Sequence, residues 1–273
     1  MVTPEQRRTA VLHAMHTAEL SERQACRYTG FARSSQRYRA TRDDAALRER
    51  LQTLAVLRPR WGYRRLYRLL RREGVVVNRK RVQRVYRAAG LSVRRRPRKR
   101  VAMERVPKPA VTLANRRWSM DFVSDALADG RRFRSLTLVD DFTRECPAIE
   151  VDRSLPAERV IDVLDRVARA RGGYPETVVC DNGPEFRSVA LDQWAYTHGI
   201  TLAFIEPGRP VQNAFIESFN GRFRDECLNE NWFIDLADAR TTIEAWRQDY
   251  NTIRPHGQLG GCTPMEFAEA QHA

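Results

Sequence analysis

The charge of this chain is divided by position, and that division limits how it can fold. Residues 1–100 carry 28 Lys and Arg against 7 Asp and Glu, whereas residues 101–273 carry 20 against 27. The formal net charge of +14 therefore arises wholly in the first third. A segment this basic, almost all of it Arg, cannot turn its charged face into a core. The chain must form a basic front section beside a mildly acidic body. A length of 273 residues allows two modest domains, each with its own core. The front section has the charge of a polyanion-binding surface, or of a solvated basic face.

Other features narrow the class. Cys26, Cys146, Cys180, Cys227 and Cys262 form no CxxC pair and are widely scattered, which argues against a disulfide framework or a zinc ribbon. His13, His16, His198, His256 and His272 do not pair with them at zinc-finger spacing. No apolar run reaches the roughly 18 residues of a membrane span, and the N-terminus is too polar for a secretory signal. A cytoplasmic protein with reduced cysteines is expected.

The front section reads as helical. Val11, Leu12 and Met15 give residues 5–19 an apolar stripe. Ser21 is an N-cap candidate for 22–28, Gly30 ends that helix, and Ser34 or Ser35 starts another. The segment 1–42 thus has either a helix-turn-helix outline or that of a plain helical hairpin. A second unit covers 43–93. Asp44 caps a helix burying Leu47, Leu51 and Leu54, and Arg58-Pro59 stops it. A helix over 63–73 turns Leu66, Leu69 and Leu70 inward and ends at Gly74. Asn78 caps a third helix that buries Val82, Val85 and Tyr86 and ends at Gly90. Its other face carries Arg79, Lys80, Arg81, Arg84 and Arg87, the charge a recognition helix needs in a major groove, or a solvated basic face. The run Arg94, Arg95, Arg96, Pro97, Arg98, Lys99, Arg100 repels itself and is expected to form an extended linker, 94–113, able to follow a phosphate backbone.

Beyond 114 the pattern is α/β. Strands are expected at 117–123, 132–140, 146–151, 177–180 and 200–205, with a hairpin turn at Asp129-Gly130. Helices are expected at 156–171, 188–197, 213–229 and 236–250. The order β-β-β-α-β-α-β-α fits a mixed sheet flanked by helices. We divide it into a core, 114–230, and a C-terminal helical extension, 231–273.

Three carboxylates stand out by position. Asp121 lies in the first strand, where alternation turns it to the face opposite Met120 and Phe122. Asp181 follows the buried strand 177–180, at the carboxyl end where ligand chemistry collects in such sheets. Glu217 opens a helix after a Pro/Gly loop, with 35 residues between it and Asp181. Oxygen-rich clusters suit Mg²⁺ or Mn²⁺, and two such ions can serve the attacking and leaving oxygens of a phosphoryl transfer. Arg224, two turns beyond Glu217, offers a cation to DNA. Each acid also has an ordinary role open to it: strand edge, turn former or favourable first-turn charge. Asp140, Asp141 and Glu185 are rivals that spacing leaves open.

At these residues a resemblance emerges. Trp118-Ser-Met-Asp121-Phe122, Cys180-Asp-Asn-Gly-Pro-Glu-Phe186 and Asn213-Ala-Phe-Ile-Glu217-Ser-Phe-Asn-Gly221 resemble the three catalytic blocks of the retroviral-integrase superfamily. The whole is similar to the second-frame transposases of the IS-three group of bacterial insertion sequences. Their closing motif resembles Tyr250-Asn-Thr-Ile-Arg254-Pro-His256 with Leu259-Gly260, Thr263-Pro264 and Phe267. Their helix-turn-helix segment resembles Trp61-Gly-Tyr-Arg-Arg-Leu66 and Asn78-Arg-Lys-Arg-Val-Gln-Arg-Val-Tyr86. The similarity spans about residues 20–270. It implies a ribonuclease H-like core with a mixed five-stranded sheet, preceded by the all-α helix-turn-helix region. It implies Asp121, Asp181 and Glu217 as catalytic and metal-binding residues holding two ions, Mg²⁺ or Mn²⁺, with no organic cofactor. The implied reaction is nicking at the element's ends followed by attack of the freed 3′-hydroxyl on target DNA. The implied partners are terminal inverted repeats, target DNA and further copies of the chain on DNA near the nucleoid.

The chain departs from that pattern in two ways. It has no counterpart of the integrase His/Cys zinc module, so no zinc site is expected, and it has no leucine-zipper heptads. In the family a zipper belongs to a first-frame product, a possible partner. Two alternatives to a strand-transferring enzyme follow: a catalytically inactive DNA-binding regulatory fragment that requires that partner, and a nuclease that cuts without joining.

Overall fold

The computed structural model describes residues 3–38, 43–93, 111–205 and 214–272. These pack as two compact units, Met1–Arg50 and Leu51–Ala273. The first holds α1 (Pro4–Thr17), α2 (Glu22–Thr29) and α3 (Arg33–Arg37). Thr3 with Gln6, and Ser21 with Gln24, close capping boxes that satisfy the first backbone donors of α1 and α2. Gly30 turns left-handed, with φ of 63°, to end α2. Val11, Ala25, Cys26 and Phe31 form the small core, with Met15 beside it. Leu12 is 57% exposed, so only part of the expected stripe faces inward. Helix α3 starts earlier than expected. Burial of Phe31 fixes the turn, Ala32 takes the N-cap position without a side-chain bond, and Ser34 and Ser35 fall inside the helix.

Helix α4 (Ala45–Leu57) buries Leu51 and Leu54. Asp44 directly precedes it, but the carboxylate that accepts the Ala45 N–H, at 2.8 Å, belongs to Asp43. Helix α5 (Tyr63–Arg72) buries Leu66 and Leu70. Asn78 caps α6 (Arg79–Ala88) by accepting the Lys80 N–H at 2.8 Å, and α6 buries Val82, Val85 and Tyr86 as its spacing requires.

The core is a five-stranded sheet in the order β3-β2-β1-β4-β5, made of β1 (Arg117–Ala126), β2 (Arg132–Asp140), β3 (Ala148–Asp152), β4 (Thr177–Cys180) and β5 (Thr201–Phe204). The first three strands form an antiparallel meander, and β4 and β5 run parallel to β1 and β4 respectively. Helices α7 (Ala157–Arg171) and α8 (Val189–Thr197) make the two crossovers that parallel pairing demands. Alternation sends Trp118, Met120, Leu136 and Leu138 to one face, packed with Val160, Leu164 and Trp194. It sends Val123, Phe133 and Val139 to the other, packed with Phe219 and Phe223 of α9 (Ala214–Glu226) and Ile243 and Tyr250 of α10 (Leu236–Thr252).

Three boundaries differ from expectation for reasons visible in the pairing and hydrogen bonds. Strand β1 continues to Ala126 because its pairing with β2 runs unbroken to Ala126 opposite Arg132. Strand β3 begins at Ala148 rather than Cys146, since the Asn251 amide takes both the N–H and the C=O of Cys146 at 2.9 Å. Helix α9 stops at Glu226, and a 3₁₀ turn, Leu228–Glu230, follows. The C-terminal extension was expected to be helical, but its last helix, α11 (Pro264–His272), was given no bounds of its own. Its signal was present, for Thr263-Pro-Met-Glu266 is a capping box with Pro at the first helical position. Among the described residues no helix is long and apolar enough to cross a membrane.

Candidate functional site

The parallel register of β1 and β4 pairs Ser119 with Val179. Two residues further along each strand stand Asp121 and Asp181, so the two carboxylates emerge at one level from neighbouring strands. Asp121 faces the side of the sheet covered by α9. The Asn220 amide donates to its Oδ2 at 2.9 Å, and the Phe122 N–H donates to its Oδ1 at 2.7 Å. The Thr137 hydroxyl sits between the Asp121 carbonyl oxygen, at 3.0 Å, and Asn220 Oδ1, at 2.9 Å. Asn220 thus ties α9 to β1. Glu217, three residues earlier, lies on the same side of that helix. Asp181 is exposed and begins a tight turn, its Oδ1 accepting the Gly183 N–H at 2.9 Å.

Burial pushes the Asp121 carboxyl up to about 6, with the charges of Asp181 and Glu217 adding to the rise against the two hydrogen bonds. The three acids therefore share one electrostatic environment. Among the described residues, however, no group of three His, Cys, Asp or Glu side chains is close enough to hold a metal ion.

The rival acids have other work. Asp140 is buried and accepts the N–H groups of Asn115, Phe142 and Thr143 at 2.7, 2.8 and 2.9 Å. Asp141 is buried and takes the Ser119 hydroxyl and the Arg117 guanidinium, each at 2.6 Å. Glu185 pairs with Arg134, which holds its carboxyl below the ordinary range and lies over the Phe122 ring at 4.0 Å. Arg224 is exposed and donates to the Ser124 carbonyl at 3.1 Å. On α6, Arg79, Lys80, Arg84 and Arg87 are exposed and Arg81 is half-buried. Arg94, Arg95, Arg96, Arg98, Lys99 and Arg100 lie outside the described residues.

Sequence reasoning missed two groups. Asn220 is one, although Glu217-Ser-Phe-Asn220 placed it one turn from Glu217. The other centres on Glu226, the last residue of α9. Arg254 reaches both of its oxygens at 2.6 Å, Arg65 reaches one at 3.0 Å, and Trp61 Nε1 donates at 3.3 Å. Burial pushes the Glu226 carboxyl up, but the hydrogen bond and charge of Arg254, with Arg65, outweigh it and hold the group below its ordinary value. The closing motif supplies this clamp.

Beside it His256 is 6% exposed and stands edge-on to Tyr250. Burial, reinforced by Arg254, Arg222 and Arg65, pushes His256 down to about 2. Below pH 6.5 the unfolded chain gains a proton that the native chain refuses, so stability falls by up to ~1.4 kcal/mol per pH unit from this residue. Urea unfolding at pH 7.5 and 5.0 should show a larger loss for the wild type than for His256→Gln. Equal losses would remove His256 from the account.

The described geometry is that of a ribonuclease H-like integrase core behind a helix-turn-helix-like region. Residues 111–210 and 198–264 match family models described as Integrase core domain, and residues 41–100 match one described as HTH-like domain. An insertion element IS407 protein of 31.7 kDa from Burkholderia multivorans is 53% identical, over 93% of this chain and 92% of its own length. The putative transposase InsK of insertion sequence element IS150 from Escherichia coli is 25% identical, over 77% and 78%. A chain of the simian T-cell lymphotropic virus intasome has the same fold, with a TM-score of 0.50 at 16% identity over 70% of this chain and 67% of that one. The chain belongs to the insertion-sequence transposases with an integrase core, a family whose work is DNA transposition.

Proposed function

We propose that this chain is a DDE-type DNA transposase that cuts at insertion-sequence ends and joins the freed 3′-hydroxyl to target DNA. The observation that carries the reading is the electrostatic convergence of Asp181 and Glu217 on Asp121, at the level where the parallel pairing of β1 with β4 ends. Each acid acts as a hard oxygen donor, and the set has no sulfur or imidazole, which fits Mg²⁺ or Mn²⁺. A pair of such ions would activate the attacking oxygen and stabilise the leaving one. Asn220 holds Asp121 and the helix of Glu217 in fixed relation. Arg224 and the exposed cations of α6 serve DNA, and two ends brought together call for an oligomer. The joining step exchanges one phosphodiester for another: the 3′-oxygen bonds to phosphorus, the target strand's 3′-oxygen departs and takes a proton, and no ATP is consumed.

The test is a strand-transfer assay with purified full-length chain, labelled element-end duplex and Mg²⁺ or Mn²⁺, run beside Glu217→Gln. Joined product from the wild type and none from the variant is expected. Cutting without joining would leave a nuclease. Binding without either would favour the regulatory fragment, and restoration of joining by a first-frame partner would then reinstate the enzyme.

A further inference from the structure

In the linear sequence α6 has one basic face; folded, it has two. Arg79, Gln83 and Arg87, at positions i, i+4 and i+8, line a cleft of 750 Å³, while Lys80 and Arg84 lie on the adjoining face. Across the cleft α5 contributes Tyr63, Arg64, Arg65 and Arg68, with Arg64 and Arg68 one turn apart. A third wall comes from the core, where Pro255 and Gly257 of the closing motif face the opening while Arg254 and His256 are buried behind them.

No acid is among the described residues that line the cleft. Arg64 donates to the Tyr63 hydroxyl at 3.3 Å; this bond, joined by the charges of Arg64, Arg79 and Arg87, holds that phenol below its ordinary value. Arg64 on α5 and Arg79 and Arg87 on α6 therefore act on a common point. Of the lining arginines Arg65 meets Glu226, as Arg254 does, and elsewhere in the unit Arg117 meets Asp141 and Arg72 meets Glu266, whereas Arg64, Arg68, Arg79 and Arg87 face the cleft together. Like charges gathered without a counter-ion repel one another, and an entering anion relieves them. The planar fork of Arg suits phosphate oxygens above other anions.

We propose that this cleft seats a phosphodiester of the DNA backbone, gripped jointly by α5, α6 and the 255–257 segment of the core. The proposal rests on the DNA-binding part of the function above and is independent of its catalytic part. It gives the closing motif a second use: the inward residues brace α9, and the outward ones complete a clamp that neither the helical region nor the core forms alone.

Gly257 permits a clean test. A Cβ there meets nothing within 4 Å, and its φ lies outside the left-handed region, so side chains are accommodated. Binding of the full-length chain to a labelled element-end duplex is followed by fluorescence anisotropy across a salt series. Gly257→Glu is expected to weaken binding about fivefold and Gly257→Lys to strengthen it comparably, with Gly257→Ala unchanged. Arg64→Ala combined with Arg87→Ala, both at exposed helical positions, should reduce the salt slope by about 1.8, or roughly 0.9 for each phosphate no longer neutralised. Identical binding by the three Gly257 variants, or a wild-type slope in the double variant, overturns the clamp. If Lys80→Ala with Arg84→Ala alone lowers the slope, DNA binding stands and the cleft is not its seat. If the wild type binds no duplex at any salt, the clamp and the DNA-binding reading fall together.

Discussion

Asp181→Asn is expected to bind element-end DNA as the wild type does and to lose Mg²⁺-dependent joining by about a thousandfold or more. The size follows from the several kcal/mol that metal-assisted charge stabilisation supplies, at 1.36 kcal/mol per factor of ten. An amide is neutral and a weaker ligand, yet it keeps the shape of the carboxylate and can still accept the Gly183 N–H. The site matters for interpretation. Asp121 is half-buried and tied to Asn220, so its replacement would mix folding with chemistry. Asp181 is exposed in a turn, and its substitution should leave the melting temperature unchanged. Joining within tenfold of the wild type at unchanged DNA affinity would remove Asp181 from the catalytic set.

The second large effect is structural. Glu226→Ala leaves Arg254, 1% exposed, and its neighbour Arg65 facing each other without an anion. Removing one partner of a buried ion pair costs roughly 3–5 kcal/mol, more than the intact pair contributes, because the remaining charge stays desolvated. In a chain of this size that is a fall in melting temperature on the order of 10 °C. Arg65→Ala should cost less, because Arg254 still neutralises Glu226 through two bonds of 2.6 Å. Thermal unfolding of the two variants side by side checks the order. A shift below about 2 °C for Glu226→Ala would mean that the clamp is open to water.

Much of this was legible in the linear sequence, and the reasons are specific. The strand 132–140 and the strand 177–180 were read to the residue, since alternation and an uninterrupted apolar run each leave one choice. Gly74 and Gly90 marked the ends of α5 and α6 because the chain turns left-handed there, with φ of 80° and 70°. What was not legible depended on partners distant in sequence. Nothing local reveals that Asn251 captures Cys146 and delays β3, or that Glu226 is met by Arg254 and Arg65, 28 and 161 residues away. The carboxylates were singled out by position and by motif, while Asn220 went unnoticed because an amide carries no charge to count. The basic face of α6 misled in a different way. Periodicity grouped its cations correctly, but only the opposing helix shows that some of them enclose a space.

Helix α9 carries Glu217 near its start and Glu226 at its end, nine residues apart. At 1.5 Å per residue that is about 13 Å of stiff rod, close to four base-pair steps of duplex DNA at 3.4 Å each. One end belongs to the carboxylate group, and the other is bolted through Glu226 to Trp61 and Arg65 at the head of α5. On the proposed assignment the rod acts as a gauge. DNA held by the helical region presents a phosphate to the carboxylates at a set interval, so the place of the cut follows from length as well as from base sequence.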